Sequence, residues 1–339
     1  MSFVSTIIGS ADRVPLPDVV IRAAIQRLCS RSAGRLAALG AADDAAFAGR
    51  MMLRPIAGEA GDGHHEVPAS FFAQVLGPNL KYSSCFYRTD ATTLQEAEEE
   101  ALRQSVEHAG IADGQTVLEL GCGWGSLSLS MARQFPHAKI TAVSNSQAQR
   151  AYVEAQAQQR GLLNLRVITA DMNVFAPEGQ FDRIVSIEVF EQILNWRKLM
   201  TRVRSWLAPE GRFFMHIVTH RSGSHLCDMT DREDWIAQHV FTEGLMPSHH
   251  LVRQFGDIFA IEKEWCWSGT HYQRTANDWL ARFDANRDAV EASLRNVYGE
   301  ETAQWMRRWR WFLLATSGLF GYADGTEWGV SRYRMKAAE

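Results

Sequence analysis

Three features of the sequence predict an α/β fold built on a parallel sheet. Strand-like apolar runs at 115–120, 138–143, 164–169, 182–187 and 212–218 alternate with helical runs near 126–134, 146–161 and 193–207. Such alternation gives a parallel sheet covered by helices on both faces. The first of these strands feeds directly into a glycine-rich turn, Gly121-Cys122-Gly123-Trp124-Gly125. Two later strand-like runs, 256–267 and 329–336, bring the count to seven.

The elements outside this core read as mainly helical. Residues 14–55 carry helical periodicity through Val19, Val20, Ile25, Leu28, Leu36 and Leu39, and a glycine-rich loop follows Ala57. Helices are expected at 68–80 and at 92–109, the latter opening with the capping-box pair Thr93 and Glu96 and stopping at Gly110. Residues 1–110 are therefore expected to form a helical lid over a second region, 111–339. Two helical insertions are expected within that second region. One spans about 221–253, with its helical core at 228–253, and the other is a block at 272–316.

Composition describes an ordinary globular chain. Of its 339 residues, 46% are hydrophobic and 22% charged, enough apolar mass for a large core. A net charge of −4 gives no general attraction to nucleic acid or anionic membranes. Five cysteines without a C-x-x-C pair argue against a disulfide framework or a structural zinc site, so no metal is expected. No run approaches the length of a membrane helix, and the expected location is the reducing cytoplasm. Six of the eleven tryptophans fall between Trp265 and Trp311, as an aromatic wall around a pocket or as a helical core.

Ligands of parallel sheets bind at the carboxyl ends of the strands, which in this chain end near Gly121, Ser144, Asp171 and Glu188. The turn after the first strand lacks the fuller G-x-G-x-x-G pattern of nicotinamide sites. Glu119-Leu-Gly121-Cys-Gly123 instead looks like the S-adenosylmethionine (SAM) turn of Rossmann-like methyltransferases, with Glu119 placed to face the cofactor. After the second strand, Ser144, Asn145 and Gln149 offer hydroxyl and amide groups where many such proteins place an acid for the ribose. Ser146 also caps the helix that follows. After the third strand, Asp171 can accept from an adenine amino group while Met172 packs on the ring.

Four segments resemble one known family. Lys81-Tyr-Ser-Ser-Cys-Phe-Tyr87, Leu120-Gly-Cys-Gly-Trp-Gly-Ser126, Phe181 to Glu191 and Gly321 to Trp328 are similar to the cyclopropane fatty acid synthase superfamily. Within it the resemblance is strongest to the coclaurine N-methyltransferase branch, over residues 60 to 337. It implies a Rossmann-like class I methyltransferase sheet of seven strands with the last antiparallel, and SAM as cofactor. Tyr82 and Ser83 would touch the methionine end, and Gly121 and Gly123 would line its backbone. The synthase branch holds bicarbonate with a cysteine, a glutamate, a histidine and a tyrosine. In this chain Ser84 and Leu280 replace the cysteine and tyrosine while Glu191 and His216 remain, which argues against cyclopropanation.

The N-methyltransferase branch carries an E-x-x-E-H segment, and the corresponding residues of this chain are Glu188-Val-Phe-Glu191-Gln192. Glu188, Glu191 and Gln192 are the catalytic candidates, with His216, Phe320 and Trp328 expected around the substrate. Gln192 cannot accept a proton, so the base must be a carboxylate or one of His216, His220 and His271. Three readings follow: N-methylation of a small amine, transfer to a lipid alkene or another carbon or sulfur nucleophile, and SAM binding with little turnover. The expected partner is a small amine or lipid-like molecule, with a homodimer left open as the assembly.

Overall fold

The structure, a computed structural model, describes residues 16–57, 67–227 and 244–339. Seven strands form one sheet: β1 (Thr116–Leu120), β2 (Lys139–Ser144), β3 (Leu165–Thr169), β4 (Phe181–Ile187), β5 (Leu207–His220), β8 (Phe259–Ser268) and β9 (Trp328–Ala337). Their spatial order is β3-β2-β1-β4-β5-β9-β8. The first five pair in parallel, and β9 runs antiparallel to both β5 and β8. A short hairpin, β6 (His225–Leu226) with β7 (Leu245–Met246), stands apart from this sheet.

Among the described residues four helices precede β1: α1 (Asp18–Leu36), α2 (Ala41–Met51), α3 (Ala69–Val75) and α4 (Leu94–Ala109). Thr93 caps α4 with Glu96 closing the box, and Gly110 ends it in the left-handed conformation that favours glycine. Between the strands lie α5 (Ser126–Gln134), α6 (Gln147–Gln159) and α7 (Trp196–Trp206). Three more helices, α8 (Gly269–Ala285), α9 (Arg287–Tyr298) and α10 (Thr302–Gly321), separate β8 from β9.

Alternation along β5 divides the core. Phe213, Met215 and Ile217 pack with α2 and α7 on one side, whereas Phe214 faces Leu102, Val106 and Leu127 from α4 and α5 on the other. A further core joins α1, α3 and the α8–α10 block around Phe71, Trp279, Phe283 and Leu313. Within it α1 meets α10 closely: a side chain at Gly318 would strike Ile25 Cγ2, and Arg310 grips Asp18 at 2.5 Å. On the opposite side, buried Asp44 of α2 accepts from Ser224 Oγ at 2.6 Å and Ser248 Oγ at 2.5 Å.

Several boundaries differ from the sequence expectation. The helix expected at 68–80 stops at Val75, because Leu76 is extended and Pro78 cannot continue it; Leu80 then takes a positive φ of 47°. The block expected at 272–316 is three helices, broken at Asn286 and at Gly299, whose φ is +52°. Of the helix expected at 228–253, residues 228–243 lie outside the described residues. The rest holds β7 and a 3-10 turn, Leu251–Phe255. Among the described residues no helix is long and apolar enough to cross a membrane.

Candidate active site

The order of strands reverses between β1 and β4, and ligands of open α/β sheets bind at such a switch point, beyond the strands' carboxyl ends. Leu120 lies beside Ser186 across this junction, so the Gly121–Gly125 turn and Glu188 emerge side by side. The turn needs its glycines for different reasons. Gly121 has a φ of +76°, and a side chain there would meet Val189 Cγ2 at 2.2 Å, so this glycine makes room for the β4 exit. Gly123 also has a positive φ, +51°, but no protein atom comes within 4 Å of where its Cβ would stand. The side of the turn open to a ligand is therefore at Gly123.

The polar groups around this turn divide into two sets. Glu119 is buried, and Ser128 Oγ on α5 donates to its carboxylate, which ties strand to helix; burial pushes its carboxyl up to about 7 despite that bond. Ser144 Oγ donates to Gln149 Oε1 at 2.6 Å and accepts from Ser146 N at 3.0 Å. Both residues thus also hold the framework of the site. Ser146 caps α6 by accepting from Gln149 N. Asn145 and Asp171 are exposed at their strand ends. Asp171 Oδ1 accepts from Asn173 N at 2.8 Å, and half-buried Met172 packs against the core beside it.

Glu188 is the centre of the site. It leaves β4 with a φ of +51°, a conformation uncommon for a residue with a side chain and often found where function fixes geometry. Three donors hold its carboxylate: Ser84 N at 2.9 Å and His216 Nε2 at 3.2 Å on Oε1, and Tyr272 O–H at 2.9 Å on Oε2. Burial works to raise this acid, but the His216 hydrogen bond, the Lys81 ammonium and the Ser84 N–H outweigh it, so the carboxyl lies below its ordinary value. His216, fully buried on β5, is pushed down to about 4, first by burial and then by the charges of Arg332 and Lys81 against the pull of Glu188. It is therefore a neutral imidazole at pH 7 with Nε2–H turned to the carboxylate.

Glu191, three residues on in the 3-10 turn Phe190–Gln192, behaves oppositely. Its Oε1 accepts from Val218 N at 2.6 Å, while buried Oε2 has no partner among the described residues. Burial, and next the negative charge of Glu188, push its carboxyl up to about 8. Two carboxyls three residues apart are thus driven in opposite directions. Gln192 completes the turn with an exposed side chain. Neither acid belongs to the first turn of α7, which starts at Trp196.

Aromatic groups enclose the pair. Tyr82 lies between Phe72 at 5.0 Å and Trp279 at 5.7 Å, and Trp124 of the glycine turn meets Phe72 at 5.2 Å. Phe320 stacks on Tyr272 at 4.4 Å, one ring away from Glu188. Trp328 is buried, with its ring against His220 and Tyr322. The other two candidate bases are engaged elsewhere. His220 Nδ1 accepts from Ser222 N and Gly223 N and its Nε2 faces Glu327 at 3.2 Å; His271 Nδ1 accepts from Tyr87 N. Among the described residues no group of three or more histidines, cysteines or acids could hold a metal. Sequence reasoning alone gives Tyr272 and Lys81 no role, although Lys81 opens one of the family-like segments.

Sheet order, glycine turn and the acids beyond β4 define a SAM-dependent methyltransferase. The family model of mycolic acid cyclopropane synthetase matches residues 56–325, and the chain belongs to that family. It is 35% identical over 280 residues to (S)-coclaurine N-methyltransferase of Thalictrum flavum subsp. glaucum, covering 81% of this chain and 78% of that protein. The crystal structure of a coclaurine N-methyltransferase bound to N-methylheliamine and SAH superposes with a TM-score of 0.90 at 31% identity, covering 98% of each chain. The cyclopropane-fatty-acyl-phospholipid synthase of Escherichia coli K12 is 28% identical over 272 residues, 80% of this chain and 66% of the relative.

Proposed function

We propose that this enzyme N-methylates a small amine, with Glu188 as the fixed anion that holds the substrate's positive charge and Glu191 as the group that takes its proton. The observation that carries the reading is the opposite drive on the two acids, one lowered and one raised to about 8. The N-methyltransferase relative at 35% identity and the coclaurine N-methyltransferase structure at 31% support the same choice.

The residues present suit SAM. Open space beside Gly123, the partly exposed Tyr82, and the exposed Asn145 and Asp171 just past the ends of β2 and β3 support this reading. Tyr82, Ser83, Gly121 and Gly123 would hold the methionine end, Asn145 with the Ser144–Gln149 pair the ribose, and Asp171 with Met172 the adenine. Once bound, SAM supplies an electrophilic methyl group on a sulfonium.

The protein's own work is orientation and proton removal. Free aliphatic amines are protonated at neutral pH, with pKa values of ~10.4 by analogy with lysine, and an ammonium has no lone pair. Passing that proton to an ordinary carboxylate is uphill by roughly six pKa units, whereas a carboxyl raised to about 8 reduces the gap to roughly two, the acceptor being the roughly one-tenth of Glu191 that is ionised at pH 7. This removes the need for a histidine at Gln192. Glu188, gripped by three donors, keeps its charge and its position throughout. Phe320 and Tyr82 present aromatic faces to the cation, and the buried setting of Glu191 excludes water from the transfer.

Incubation with labelled SAM and separate pools of amines and phospholipids tests the proposal. Label is expected in a methylated amine; label only in the lipid pool overturns it.

A further inference from the structure

Lys81 plays no part in the mechanism above, yet its ammonium is buried beside the site. Lysine is almost never fully buried unless paired, and Lys81 is 2% exposed. Its Nζ donates to Ser83 Oγ at 2.6 Å and to Ser84 O at 2.5 Å, both neutral oxygens. Its backbone N–H donates to Glu98 Oε1 at 3.3 Å. Glu98, buried on α4, also takes Asn79 N at 2.9 Å and Asn79 Nδ2 at 3.1 Å on its other oxygen. The segment is therefore pinned from α4 on one side and by its own ammonium on the other. The Ser84 N–H at the end of that segment is the donor that grips Glu188.

An ammonium resting on neutral oxygens inside a protein is costly, and a nearby anion is the usual compensation. Burial lowers the Lys81 ammonium first, and Cys85, Glu188 and Glu98 then favour its charged form while Arg332 of β9 opposes it. In return Lys81 helps to hold Glu188 low and His216 neutral. Loop geometry and charge thus converge on one carboxylate.

We infer that Lys81 is a positioning residue for the methyl transfer: its buried ammonium holds the Tyr82–Ser84 segment against Glu188 and supplies the fixed positive charge beside that carboxylate. This rests on the amine reading above. Its consequence is a division of labour set from behind the site. Lys81 biases the pair so that Glu188 keeps its charge and the substrate's proton goes to Glu191. The side chain touches neither reacting atom.

A double-mutant cycle tests this, using the full chain with Lys81→Met, Glu188→Gln and the two together, read as kcat/KM on a methylated amine. Lys81→Met alone should cost about 10- to 100-fold, the loss of one hydrogen-bonded charge, and less than about 3-fold in the Glu188→Gln background. The His216 imidazole, followed by NMR, should titrate at higher pH in Lys81→Met than in the wild type. Equal losses in both backgrounds with an unmoved His216 would reduce Lys81 to a loop support and overturn the inference. If no amine is turned over, the functional proposal falls, and the His216 titration alone still decides the role of Lys81. If Lys81→Met does not fold, Glu188→Gln carries the test. Deprived of its anion, the ammonium should lose its proton more readily in the folded state, so this variant's stability should rise relative to wild type as pH increases below the ordinary lysine value of ~10.4. Parallel pH dependence would refute the coupling.

Discussion

Glu191→Gln separates stability from catalysis in a way that can be worked from the site. The wild-type carboxyl has an ordinary value of 4.5 when the chain is unfolded and is pushed up to about 8 in the folded protein, by burial first and then by Glu188. A raised acid binds more protons folded than unfolded, so wild-type stability from this group is full below the unfolded value and falls as pH rises towards the folded one. The slope approaches ~1.4 kcal/mol per pH unit between those limits. Relaxation around the site and entry of water trim the total, leaving ~1–3 kcal/mol lost by pH 7. Glutamine has the same shape without the charge. The variant should therefore match wild type near pH 5 and melt a few degrees higher by pH 8, where each kcal/mol moves the midpoint of a chain this size by roughly 1–3 °C. Activity should move the other way, with kcat/KM on the amine falling roughly 10²-fold or more as the proton acceptor is removed. Thermal melts at half-unit pH steps and initial rates on the same preparations supply both readings. A melting difference that stays flat from pH 5 to 8 would show that Glu191 is not held protonated, and the division of roles between the two acids would fail with it.

Three other outcomes are expected. Gly123→Val fills the open side of the turn and should weaken SAM affinity by about 10-fold or more in calorimetry, beyond the ~1–2 kcal/mol of backbone strain from its positive φ; undiminished affinity in a folded variant removes the turn from the cofactor site. Tyr272→Phe keeps the stack on Phe320 but takes the O–H from Glu188 Oε2, so kcat/KM should drop by about 10-fold and its acid limb should move to higher pH as the carboxyl loses a donor; an unchanged profile would mean that Glu188 is not positioned from α8. Gln192→His adds a group that titrates near neutrality next to two acids, and any gain in rate should be largest below the amine's pKa and vanish above it. Because Glu191 already serves, the gain should stay below about 10-fold, and a much larger one would show that the wild type lacks a working base.

The parts of this protein that sequence reveals are those whose physics is local. Alternating apolar and helical runs locate the five parallel strands, and the match of 126–134 to α5 follows from a glycine turn on one side and a helix that ends before Pro136 on the other. Misplaced ends have local causes too. Gly77-Pro78 ends α3 early and Gly299 splits the C-terminal block, signals that helical periodicity on both sides obscures.

The two acids are visible in the sequence as a pair but not as opposites. Nothing within Glu188-Val-Phe-Glu191 says that one carboxylate meets three donors while the other is left with an unpartnered oxygen. Those donors come from Ser84, His216 and Tyr272, which are 104, 28 and 84 residues away in the chain. They meet only because β4 lies beside β5, because α8 packs its first turn over the strand ends, and because the loop after α3 is drawn in by Glu98 and Lys81. Replacing a histidine by Gln192 looks, in sequence, like the loss of a base. On the proposed reading the same chemistry falls to the neighbouring carboxyl, since burial beside a fixed negative charge raises it by a mechanism that needs no titratable residue at position 192. What the motif lost in one side chain, the packing around Glu191 supplies.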